Sequence, residues 1–381
     1  MNRGADATVA VASDLIYLLS CAVNEEIPDA QRCAAMSLPD VYALAQRHSL
    51  TVAAACALEK VMALPSYFKE EKFKAIRRLS YFDIERAKLL RAFEENQIWY
   101  LPLKGIIMKE LYPKAAMREM SDNDILCDKD DLQKIHEIMT GMGFVCTSFC
   151  KAHHDEYKAP TGIKFEIHGS LFHHTSTSPF DWYIENIKNR LIKDDDNQYG
   201  YHMTQEDFYI YQICHLYKHY YYSGTGLRSL LDVYVFNKKF RQAEDSAYLQ
   251  KAFQEIDLVD FESRIRQLAH LVFSGQTLSA DERTELLSFI QSNTYGTLDV
   301  EVPRHLKNDD SFSAKKKYVL RRLFPPEEII REFHPVVYRH KVLYPLWIAY
   351  RPINAALHKR KKISKELKLL INYKSKDQKN E

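Results

Sequence analysis

The sequence predicts an α+β protein, a small mixed sheet flanked by N- and C-terminal helical regions. Three observations predict it. Apolar residues recur at three- and four-residue spacing over residues 8–97 and again from Thr204, the period of amphipathic helices. Strand-like patterns are confined to the stretch between, from Ile98 to His168. Within that stretch strands alternate with short helices, as in a small α/β sheet. At 381 residues the chain exceeds the usual domain size of about 100–200 residues. Four segments are expected: helical 1–96, an α/β core at 97–200, helical 201–300, and an aromatic, proline-punctuated stretch with a basic tail at 301–381.

The N-terminal helices carry Leu15, Ile16, Leu18 and Leu19, then Val41, Leu44 and Ala45. Ser37-Leu38-Pro39-Asp40 marks a helix start, because proline in the first turn loses no hydrogen bond. A long charged helix, Phe68 to Asn96, sets Ile76, Leu79, Phe82, Leu89, Leu90 and Phe93 on one broad face. The period changes at Gln97. Ile98 to Leu103 reads as a strand interrupted by Pro102, Ile106 to Leu111 as a short helix, and Asn123 to Cys127 as the next strand. Asp130-Asp131 open a helix to Met139, which Gly141-Met142-Gly143 stops. Phe144 to Phe149 and Ile163 to His168 are further strands, the second after a Pro160-Thr161-Gly162 turn. Thr204-Gln205-Glu206-Asp207 resembles a capping box and opens a helix to Tyr222. Helices continue at Leu227 to Lys239 and over 245–292. The tail from His358, with Lys359-Arg360-Lys361-Lys362, is expected to fray at its end.

Composition is that of an ordinary globular protein, 46% hydrophobic and 27% charged. A formal net charge of +2 argues against general attraction to nucleic acid, leaving the basic tail as a weak candidate for an anionic surface. The seven cysteines lack paired spacing, so free thiols in a reducing compartment are expected. With no apolar run near ~18 residues, a cytoplasmic location without a transmembrane segment is expected.

Residues 98–126 carry the chemistry. Asp122 and Asp124 lie two apart, so on a strand they share a face at a distance that one metal ion can bridge. Two adjacent acids repel, which argues against a purely structural role. Glu166 alternates with Phe165 and Ile167, and if the strands at 123–127 and 163–168 are neighbours the three carboxylates converge. Such a patch suits Mg²⁺, and two ions can stabilise both the attacking and leaving oxygens of a phosphoryl displacement. Lys104-Gly105 adds a point charge and a close backbone approach for phosphate, with Arg118 as a second candidate cation.

The run Leu-Lys-Gly, Leu-Tyr-Pro, Arg, Asp-x-Asp-Ile-Leu and an apolar-Glu-apolar-His strand resembles the uncharacterised nucleotidyltransferase family of the DNA-polymerase-β-like superfamily. The resemblance spans about residues 95–175, and His215, His219, Leu227-Arg228 and Asp232 also look family-like. It implies transfer of a nucleoside monophosphate from a nucleoside triphosphate to an acceptor. By the same resemblance Asp122, Asp124 and Glu166 are the catalytic metal acids, and Lys104-Gly105 stands for the phosphate loop. The acceptor's class, whether small molecule, sugar, peptide, protein or RNA, is not implied. One departure is that Ile106 follows Gly105 where the superfamily has glycine or serine. It motivates the alternative of an inactive nucleotide-binding or interaction module of the same fold.

Other polar pairs read as structural. His153-His154 and His173-His174 lack the further ligand of a zinc site, His215 and His219 suit helix packing, and Arg228 and Asp232 suit an i, i+4 ion pair.

Overall fold

A computed structural model describes residues 3–149, 154–172, 183, 186–222, 224–240, 245–293, 302, 306, 309–325, 327, 330, 335–358 and 360–373. Five helices come first: α1 (Arg3–Val23), α2 (Ala30–Ala35), α3 (Leu38–His48), α4 (Thr51–Leu58) and α5 (Ser66–Glu95). The expected start of α3 is present, with Pro39 in its first turn and the Ser37 hydroxyl donating to Asp40 at 2.6 Å. α4, all small or apolar apart from Thr51, is buried all round. α5 leans on two cores, through Phe68 on the helical one and Phe82, Leu89 and Phe93 on that of the sheet. Ile76, expected on that face, falls between the two anchor points and is 42% exposed.

The main sheet has five strands: β1 (Tyr100–Pro102), β2 (Asn123–Cys127), β3 (Val145–Ser148), β4 (His154–Lys158) and β5 (Lys164–His168), in the order β1-β2-β5-β4-β3. β2 and β5 are parallel and the remaining pairs antiparallel, so the sheet is mixed. Pro102 is tolerated because β1 is an edge strand. Helix α6 is a single turn, Gly105–Met108, continued by a 3₁₀ turn at Lys109–Leu111, and α7 is Leu132–Gly141. Gly162, at φ +86°, makes the turn before β5. β4 did not show as a strand in the sequence. Its alternation is of burial rather than hydrophobicity, since the inward residues are Asp155 and Tyr157.

Helices α8 (Gln205–Tyr222), α9 (Leu227–Phe240), α10 (Ser246–Glu255), α11 (Val259–Phe273) and α12 (Ala280–Gln291) follow a two-stranded ribbon at Ile192–Lys193 and Tyr201–His202. Thr204 caps α8 as expected, accepting from the Asp207 amide at 3.1 Å. α8 to α12 share one core with α1 to α4. Polar ties reinforce it: Ser20 and Asn24 donate to the Phe273 carbonyl, and Tyr234 donates to Asn24 at 2.9 Å. The last region forms α13 (Phe312–Leu323), α14 (Pro335–Arg339), α15 (Tyr344–His358) and α16 (Arg360–Asn372), and Tyr318 of α13 and Leu370 of α16 join Val302 and Leu306 in a small cluster. The basic run thus leads into a helix, while residues 374–381 lie outside the described residues, as do His153, His173 and His174. No helix among the described residues is long and apolar enough to cross a membrane.

Candidate active site

A cavity of about 310 Å³ opens between the sheet and helices α8 and α9. One wall belongs to the sheet. Parallel pairing puts Asp124 directly beside Glu166, so the neighbouring strands that the acids required are present. Asp122 lies just ahead of β2 and, with Asp124 and Glu166, lines the cavity. The Asp124 carboxylate is nearly buried, and its Oδ1 receives Lys104 Nζ at 2.7 Å and lies 2.9 Å from His168 Nε2. Burial alone would raise the Asp124 pKa, but the Lys104 ammonium and His168 override it and hold this carboxyl well below the usual range. Asp122 goes the other way. Burial, with Asp124 and Glu166 alongside, pushes it up to about 7.

That opposition is the fit test for a divalent cation. Three oxygen-donor side chains converge on a cavity, and one resists ionisation because it is buried beside the other two. A Mg²⁺ ion there would relieve the repulsion while keeping coordination sites for water and phosphate. The donor chemistry therefore fits.

The two expected phosphate cations are already engaged. Lys104 is held by Asp124, and its backbone sits at φ +46°, an uncommon value outside glycine that suits a constrained site. Arg118 lines the cavity but directs Nε and Nη2 to Asp232, at 3.0–3.2 Å. Tyr112 donates to the same carboxylate at 2.7 Å. Arg228, expected to face Asp232, donates to the Glu119 carbonyl at 3.0 Å. Gly105 lines the cavity at the start of the one-turn α6. A Cβ added there would lie 3.2 Å from Arg118 Nη1, so glycine leaves room for that guanidinium.

The opposite wall was not foreseen as part of a site. α8 contributes Tyr211, Gln212, His215, Lys218 and His219, and α9 contributes Arg228, Ser229 and Asp232. Lys218 has no carboxylate partner among the described residues; its ammonium lies 5.6 Å from the Phe172 ring centre. Burial lowers its pKa to about 8, helped by repulsion from Lys104. His215 and His219 meet through their Nε2 atoms at 3.1 Å, and burial keeps both neutral, His219 down to about 4. The Tyr211 hydroxyl and Gln212 Oε1 are buried without hydrogen-bond partners among the described residues. The signal was available: residues 211, 212, 215, 218 and 219 follow helical spacing and put a polar stripe on a largely apolar helix.

His154, on the strand that the sequence hid, also lines the cavity, cross-strand from His168. A family model described as an uncharacterised nucleotidyltransferase matches residues 35–274, which contain both walls. No curated protein matches the chain, and no solved structure does.

Proposed function

This chain belongs to the uncharacterised nucleotidyltransferase family, and we propose that it moves a nucleoside monophosphate from a nucleoside triphosphate to an acceptor hydroxyl or similar nucleophile, with Mg²⁺ as cofactor. The observation that carries this is the placement of Asp122, Asp124 and Glu166 on one side of a cavity, with Lys218 on the other. Two Mg²⁺ ions, when bound, supply charge stabilisation at the attacking and leaving oxygens. Asp122, Asp124 and Glu166 are the residues that would hold the ions. The acceptor oxygen bonds to the α-phosphorus as the bond to the α–β bridging oxygen breaks, and pyrophosphate leaves. The acceptor's proton passes to Glu166.

The remaining polar side chains then have distinct tasks. Lys218 neutralises the triphosphate, because no carboxylate among the described residues forms an ion pair with its ammonium. Lys104 and His168 keep Asp124 ionised for metal, while Arg118, held by Asp232, fixes the cavity floor beside Gly105. Tyr211 and Gln212 offer hydrogen bonds to the nucleoside or the acceptor. Pyrophosphate release from each triphosphate, measured with and without Mg²⁺, is the direct test. Asp122→Asn should abolish it while far-ultraviolet dichroism stays unchanged; undiminished release would refute the assignment.

A second function has its own observation. Lys104 already neutralises Asp124, and no hydroxyl-bearing residue follows Gly105. Both suit a module that binds nucleotide without transferring it. Calorimetric titration with Mg²⁺ and triphosphate separates the two, since the module would bind and release no pyrophosphate.

A further inference from the structure

We propose that His154, Glu166 and His168 form a nitrogen-rich metal site that takes a divalent transition-metal ion of the zinc type. This deepens the proposed reaction and rests on it in one respect, that the ion next to Glu166 is one of the two expected there.

The strands bring the three side chains together. His154 on β4 and His168 on β5 are cross-strand partners, and Glu166 lies two residues before His168, so all three share a face. Glu166 Oε2 is 3.6 Å from His168 Nε2 and 3.8 Å from His154 Nε2. One donor atom from each residue lies within 4.8 Å of the other two. Tetrahedral zinc, with bonds of about 2.0–2.2 Å, sets its donors about 3.4 Å apart. The two Glu166 separations exceed that by only a few tenths of an ångström. All three residues line the cavity, so the remaining coordination position faces the space for substrate.

The chemistry of the donors selects the ion. Mg²⁺ binds oxygen and keeps its water, whereas imidazole suits zinc and its neighbours. Two histidines beside one carboxylate are therefore a poor set for Mg²⁺ and a good one for Zn²⁺. Asp122, just ahead of the neighbouring β2, and Asp124 on that strand keep the oxygen-only character that Mg²⁺ needs. Two unlike positions result.

His168 links them. Its Nε2 lies 2.9 Å from Asp124 Oδ1, a contact bridged by a proton when that nitrogen carries one. The neutral His168 tautomer with its single proton on Nδ1 turns the Nε2 lone pair to the metal instead, so the proton moves between the ring nitrogens and none is lost. Glu156 Oε1, 3.7 Å from His154 Nε2, is a further carboxylate within reach at the open edge.

The test uses the full chain, stripped with a chelator and dialysed to equilibrium against ZnCl₂ without nucleotide, with bound metal counted by mass spectrometry. One Zn²⁺ per chain is expected, retained against roughly a thousandfold excess of Mg²⁺. His154→Ala should weaken binding at least tenfold, and X-ray absorption at the zinc edge should report two imidazole nitrogens. Should the alanine variant fail to fold, His154→Phe keeps the ring and removes both nitrogens. Equal affinity of wild type and a folded variant, displacement by Mg²⁺, or an oxygen-only shell would overturn the site. Pyrophosphate release with Mg²⁺ alone, measured on the same wild-type preparation beside the zinc count, tells the two ideas apart. Mg²⁺-supported release without zinc binding sinks this inference alone, and zinc binding without any transfer sinks the proposed reaction alone.

Discussion

On the sheet wall of the cavity, Asp124 is matched by Lys104 and His168 within 3 Å, and the residues involved span only 65 positions of sequence, from Lys104 to His168. Among the described residues of the helix wall, Lys218 has no carboxylate ion pair, the Tyr211 hydroxyl and Gln212 Oε1 are buried without hydrogen-bond partners, and two histidines that burial keeps neutral face each other. The difference teaches what each wall is for. A negatively charged cluster already partly satisfied is one that needs only small cations to complete it. A wall with an unused hydroxyl, an unused amide oxygen and an ammonium without an ion pair among the described residues suits a larger partner that carries both negative charge and a hydrogen-bond donor.

The largest expected effect breaks the sheet wall. Asp122→Asn should lower nucleotide turnover at least about a hundredfold, the scale of losing a group that stabilises developing charge. The same change should raise the thermal midpoint of metal-free protein at pH 8. Asp122 is held up to about 7, so its ionisation above that pH costs folding energy that asparagine does not. A lower midpoint at pH 8 would mean that the repulsion is not felt.

Next comes the brace beneath both walls. Asp232→Ala leaves the Arg118 guanidinium and Tyr112 hydroxyl without their carboxylate, a loss of about 3–5 kcal/mol for a broken buried pair. Urea midpoints measure it, and a change under about 1 kcal/mol would show that water replaces the pair.

Lys218→Met tests the helix wall. It should weaken triphosphate binding about ten- to a hundredfold, the worth of one charge-assisted hydrogen bond, and leave stability equal or higher. Because the Lys218 pKa is near 8, wild-type affinity should fall as pH rises from 7 to 9, and the methionine variant should show a flatter profile in calorimetry.

Acid stability is a smaller, sign-specific probe. Burial holds His48 down to about 4, against an ordinary value of 6.5, so the folded form excludes a proton that the unfolded form accepts. Its contribution is complete above pH 6.5 and is lost as pH falls through about 4, up to roughly 3 kcal/mol. Chemical denaturation at pH 7 and pH 5 reads it, and His48→Gln should flatten the slope. The least effect is expected from Gly105→Ala, under about 1 kcal/mol in stability, because only Arg118 must shift by a few tenths of an ångström.

The sheet wall was legible because it obeys local rules. Asn123 to Cys127 and Ile163 to His168 alternate or run apolar, and their acids stand out against that background. β4 is not legible in the sequence, since His154-Asp155-Glu156-Tyr157-Lys158 shows one apolar residue in five, and the place of His154 beside His168 is hidden with it. Lys104 and Arg118 were identifiable as cations but not by partner. Their distances to Asp124 and Asp232 depend on contacts 20 and 114 residues apart, which no local pattern encodes. The same holds for α8, where spacing marked His215 and His219 without revealing what they face.

The helical core shared by the first and the middle regions bears on how the protein is made. During synthesis, α1 to α4 leave the ribosome long before α8 to α12, whose apolar residues belong to the same core as Leu15, Leu18 and Leu19. A nascent chain that has reached residue 200 holds every strand of the sheet but only half of that core, with its apolar faces bare. Until the second set of helices emerges, that half-built core presents apolar surface to other chains, and the cavity lacks its helix wall.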